Sequence, residues 1–178
     1  ASHEIGATLI NRAATGVTLR PDEFIDKPAT NGIIWTAEMF HGAKLYADHV
    51  INIMRSAAVF GGSGFGVERK LSITDIHAQY FGTPDAFIFD EKQMTLHIGD
   101  YKFGFDIVEH VENWQLITYA RGITDLLNLN GHDEQRVTVH MTVIQPRAFH
   151  RGGPVRTWTK TLSDLRGFWN VTRSNAVD

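Results

Sequence analysis

The sequence predicts a mainly β fold with one long helix: an antiparallel β-sandwich or jelly-roll-like barrel with a packed α-helix. Three observations point there. Apolar residues recur at helical spacing between residues 37 and 59. From residue 69 onward the apolar period drops to two. No strand–helix–strand alternation is read, which argues against a doubly wound parallel sheet.

Residues 1–34 carry little periodicity and are broken by Pro21 and Pro28. They read as an extended N-terminal arm, with at most a short strand near Ala7–Leu9. Phe40, Ala43, Ala47, Ile51, Met54 and Ala58 fall three or four apart and line one face of a helix. Thr36 is placed to cap it, Glu38 suits its first turn, and Gly61–Gly62 stop it. Leu71 and Ile73 then alternate with polar neighbours.

Residues 86–109 read as a three-stranded antiparallel meander. Its strands are Ala86–Phe89, then Met94, Leu96 and Ile98, then Tyr101, Phe103, Phe105 and Ile107. Turns at 90–93 and at Gly99–Asp100 separate them. Trp114–Tyr119 reads as a further strand and 122–130 as one short helix closed by Gly131. Val137, Val139, Met141 and Val143 alternate cleanly and mark the clearest strand. Val155–Thr161 is expected at a sheet edge, and Ser163 is placed to cap a last helical turn. The organisation expected is thus an arm at 1–34, a β-rich core domain at 35–146 and a basic C-terminal segment at 147–178.

With 178 residues, 43% of them hydrophobic, the chain can build one core without staples. The absence of cysteine excludes thiol catalysis, zinc ribbons and a disulfide framework. No apolar run reaches the roughly 20 residues that span a bilayer. Ala1-Ser2-His3-Glu4 shows no basic stretch leading into an apolar one, so no signal peptide is read and an intracellular or virion location is expected.

The recognised chemistry motifs are missing. Gly61-Gly62-Ser63-Gly64-Phe65-Gly66 follows a helix and precedes a strand, the reverse of a phosphate-binding loop. The nine histidines include no His-x-x-x-His or His-Glu-x-x-His pair, so no metal site and no cofactor are expected. Asp75 with His77 and His140 beside Thr138 and Thr142 read as surface groups, as do Asp106, Glu109 and Glu112. Catalytic residues are therefore not assigned.

The net charge of −3 is unevenly spread. Arg147, Arg151, Arg156, Lys160, Arg166 and Arg173 face only Asp164 and Asp178 in the last segment, while residues 31–146 are acidic on balance. Trp158 and Trp169 sit among these cations. Trp and Arg dominate binding hot spots, so Arg151, Arg156, Trp158, Arg166 and Trp169 are interface candidates. The partners expected are other copies of the chain or companion subunits, with nucleic acid only weakly indicated. The function this suggests is a structural subunit of a larger assembly, such as a viral or phage-like coat, shell or tail protein, favoured over an enzyme. The alternative is a β-barrel enzyme or small-molecule binder whose site is assembled from distant strands.

Overall fold

Helical spacing in the first half of the chain is realised twice over. The computed structural model describes residues 1–175, the side chain of His132 excepted. The chain runs through α1 (Ser2–Ala14), a 3-10 turn at Pro21–Glu23, α2 (Ala37–Ala57), β1 (Phe65–Val67), β2 (Leu71–Ser72) and β3 (Phe81–Gly82). It continues through β4 (Ala86–Asp90), β5 (Thr95–Tyr101), α3 (Trp114–Leu126), a 3-10 turn at Gly131–Gln135, β6 (Thr138–Ile144), β7 (Val155–Thr161) and α4 (Leu162–Asn175).

Five strands form one sheet in the order β1-β4-β5-β6-β7. β5 and β6 are parallel; the other neighbours are antiparallel. On one face, α1 and α2 bury Ile5, Ile10, Phe40, Tyr46, Val50 and Met54 against Ala86, Ile88, Tyr101 and Ile144. On the other, α3 and α4 bury Leu116, Ile123, Leu165 and Trp169 against Phe87, Leu96, Ile98, Val139, Met141 and Val143. Each central strand is therefore apolar on both faces, as a sheet covered by helices on both sides requires. The small β2–β3 hairpin packs on α3, where a Cβ on Gly122 would sit 2.9 Å from Ile73.

This mixed α/β architecture overturns the expected mainly β sandwich or barrel. The decisive error lies at 114–126. Leu116, Ile117, Ala120 and Ile123 recur at helical spacing and are fully buried, and Asn113 Oδ1 caps the helix by accepting the Leu116 N–H at 3.2 Å. Trp114, Ile117 and Tyr119 favour strands by propensity, and packing overrides that preference. The helix supplies the crossover between β5 and β6, and such a crossover is what joins parallel neighbours.

The third meander strand is also absent. Buried Gln145 donates to the carbonyls of Gly104 and Asp106 and accepts the Val108 N–H at 3.1 Å. Those main-chain groups are thereby satisfied in a loop instead of a ladder. In the stretch expected to be an extended arm, Ser2–Ala14 is helical and docks on α2. Its helicity rests on burial of Ile5 and Ile10 more than on intrinsic propensity.

The helix expected at 37–59 is α2, capped as expected by Thr36 Oγ1, which accepts the Met39 N–H. Val155–Thr161 is an edge strand of the chain's own sheet. Residues 176–178 of the basic segment lie outside the described residues.

Candidate functional site

The hairpin β4–β5 places two carboxylates side by side. Ala86 pairs with Gly99, so the next residues outward, Asp85 and Asp100, are opposite one another. Like charges directly opposite destabilise a sheet, yet Asp100 is buried, 2% exposed, and Asp85 keeps only 13% of its side chain exposed. Asp85 is pushed up to about 7, first by burial and then by the negative charge of Asp100. Burial raises Asp100 too, against the nearby cation of Lys102.

Four further groups close around this pair. His3, brought by α1, directs Nε2 to the Tyr101 carbonyl at 2.7 Å and stands 3.6 Å from Asp85 Oδ2. The Tyr101 N–H donates to the same Asp85 oxygen at 2.6 Å. Glu68 N–H donates to the Asp85 carbonyl, and its carboxyl is raised by burial and by the charge of Asp85. Glu68 holds a left-handed φ of 50°, an uncommon conformation for a non-glycine residue.

Lys102 Nζ lies 2.9 Å from Asp100 Oδ2 and forms an ion pair with it. Lys102 itself is held from α3: Gln115 Oε1 accepts from Nζ at 3.1 Å, and Gln115 Nε2 donates to Tyr119 Oη at 2.8 Å. Gln115 and Tyr119 are four apart and so share a helix face.

Among the described residues no group of three or more His, Asp or Glu side chains could hold a metal ion. A zinc site needs such a set. A magnesium-type ion does not: it is held by one or two carboxylates and keeps several waters. Asp85 and Asp100, opposite one another across the hairpin, are a carboxylate pair of that kind. Two carboxylates side by side with one lysine against them leave negative charge that such an ion offsets.

None of these residues was singled out from the sequence. One feature could have found the central pair: a hairpin whose inner register sets Asp85 against Asp100. Reading Gly99–Asp100 as a turn hid it.

The five interface candidates scatter. Arg151 is exposed in the turn before β7. Arg156 is 3% exposed and donates to Gly153, Val108 and Gln145. Trp158 meets Phe168 edge to face at 5.8 Å. Trp169 is buried and donates Nε1 to the Ile117 carbonyl. Arg166 pairs with Glu134. It also lines a cavity of about 210 Å³ with Arg121 and Arg173. Those two are paired with Asp75, and Arg121 also with Asp125, so the cavity's cations are largely compensated.

Of the other histidines, His97 and His140 are cross-strand partners with ring centroids 4.9 Å apart. Asp75 joins Arg121 and not His77. No helix among the described residues is long and apolar enough to cross a membrane. The model of a family described as a protein of unknown function (DUF2800) matches residues 1–177. None of the curated proteins matches the chain.

Proposed function

The chain belongs to that family, which carries no assigned activity, and from its side chains we propose a divalent-cation-dependent phosphodiesterase. The observation that carries the reading is the Asp85–Asp100 pair, 13% and 3% exposed in its side chains, with Lys102 against Asp100. A hard cation held by two carboxylates usually works on phosphates. It supplies charge for a phosphoryl oxygen and a more acidic water.

The chain's own groups divide the remaining work. Asp85 and Asp100 supply negative charge at a fixed point, held by the Tyr101 N–H and the sheet register. Lys102 is the point charge suited to a phosphate oxygen, and Gln115 orients its ammonium. His3 and Lys102 form the accessible rim, with 43% and 28% of their side chains exposed, while the carboxylates lie beneath. Hydrolysis adds water across a P–O bond. The water oxygen binds phosphorus, and the ester oxygen leaves as an alcohol carrying the proton.

The test is cleavage of end-labelled single-stranded and duplex DNA or RNA with magnesium or manganese, against a chelator control. Cleavage should need the cation and be lost in Asp100→Asn and Lys102→Ala, each with an unchanged circular dichroism spectrum. Cleavage that persists in both variants, or in chelator, overturns the reading.

The assembly-subunit expectation stands as a second proposal, favoured by Ile33 and Ile34, 47% and 52% exposed at the surface. A large homogeneous oligomer in sedimentation would support it.

A further inference from the structure

β5 and β6 run parallel, so the chain leaves both at the same edge of the sheet. Loops 102–113 and 145–154 therefore open together, joined by the Lys102 N–H to the Ile144 carbonyl at 2.9 Å. Lys102 belongs to the site just described.

These loops are framed from inside. Gln145 is fully buried and bonds Asp106 O at 2.7 Å and the Val108 N–H at 3.1 Å. Arg156 donates to Val108 O at 2.9 Å and to Gln145 Oε1 at 3.0 Å. Yet the frame holds Phe105 65% exposed and Phe149 94% exposed. Burying a Phe side chain is strongly favourable, and these two forgo much of that gain. Arg147 backs the first ring: its guanidinium carbon lies 3.8 Å from the Phe105 centroid and 4.5 Å from that of Phe103. Its Nη1 donates to the Phe103 carbonyl, and its Nε stands 3.0 Å from Glu38.

We propose that Phe105, backed by Arg147, is a stacking platform for unpaired bases of a single-stranded nucleic acid. This rests on the phosphodiesterase reading, because the platform stands beside the carboxylate–lysine site. An exposed ring takes any base on its face, and a cation behind it adds attraction. The exposed carboxylates of Asp106, Glu109 and Glu112 share the first loop and repel the phosphates of any strand, so binding here rests on stacking and not on phosphate neutralisation. A base within a duplex offers no free face, which commits the occupant to a single strand.

The test uses fluorescence anisotropy with an end-labelled oligothymidylate and the full chain in chelator, where cleavage is off. Phe105→Ala should weaken binding about 10- to 100-fold, the range of one base–aromatic stack. Phe105→Trp should bind like the wild type. Asp100→Asn should bind the strand without cutting it. Equal binding by wild type and Phe105→Ala, with equal melting temperatures, overturns the platform. So does a duplex that competes as well as the single strand, or a Phe105→Ala effect on sedimentation mass alone, which would mark a protein contact. Phe105-dependent binding with no cleavage under any cation would sink the phosphodiesterase reading and leave the platform standing.

Discussion

Asp85 and Asp100 face each other across the β4–β5 hairpin, one fastened by the Tyr101 N–H and the other in ion-pair contact with Lys102. Neither carboxylate is comfortable there. Asp85 titrates at about 7 because burial and its neighbour both oppose its charge.

The first prediction follows from that discomfort. A carboxyl whose folded pKa lies above its unfolded value destabilises the fold as pH rises from about 4 to about 7. Asp85→Asn keeps an acceptor for the Tyr101 N–H and removes the charge. In chelator it should melt higher than the wild type at pH 8, and the difference should shrink to nothing near pH 4. Manganese should raise the wild-type melting temperature and leave the variant unmoved. A variant that melts lower than the wild type at pH 8 would falsify the repulsion.

His97 gives the opposite slope. Burial, then His140 and His49, drive it down to about 4, so it is neutral in the fold, whereas the unfolded chain takes up its proton near pH 6.5. The stability this contributes is complete above about pH 6.5 and is lost as pH falls through about 4. His97→Gln should flatten the decline in melting temperature across that window. An unaltered slope would show that His97 does not titrate with folding.

Gly6 tests how α1 delivers His3. A Cβ there would lie 2.5 Å from the Tyr46 ring, which stacks on Tyr101 at 5.2 Å. Helix propensity alone favours Gly6→Ala by about 1 kcal/mol. The clash should reverse that sign and lower the melting temperature by several degrees. Activity should fall too, because His3 moves with α1. A stabilised Gly6→Ala variant with full activity would show that Tyr46 yields freely.

Ending the chain at Pro146 should unfold it. β6 would lose its whole pairing with β7, from Thr138–Thr161 to Ile144–Val155. The core would lose Leu162, Leu165 and Trp169, each worth about 1.5–3 kcal/mol or more when buried. Together these losses are of the order of a domain's entire stability, about 5–15 kcal/mol. The truncated chain should show no cooperative melting transition. A soluble, cooperatively melting fragment would mean that 147–175 is an accessory segment.

By itself the sequence determined the local elements whose pattern has one reading. Twenty-one residues from Ala37 form α2 behind their Thr36 cap, and the alternation from Val137 to Val143 becomes β6. The two strands of the hairpin were legible over Ala86–Phe89 and 94–98 but not the run of the second through Gly99–Asp100 to Tyr101, while the edge strand at 155–161 was read with its bounds. Period and turn chemistry are local, and a local pattern survives being read without a partner. Tertiary structure decided the rest. Trp114–Leu126 is a helix because two covered faces of a sheet offer its apolar stripe a place to bury, outweighing strand-favouring side chains. Ser2–Ala14 is a helix because Ile5 and Ile10 find α2 and the sheet. The candidate site gathers residues 3, 68, 85, 100, 102 and 115 from five separate segments. Spacing along a chain records only neighbours in sequence, and these groups become neighbours when a parallel crossover and a docked helix close around one sheet edge.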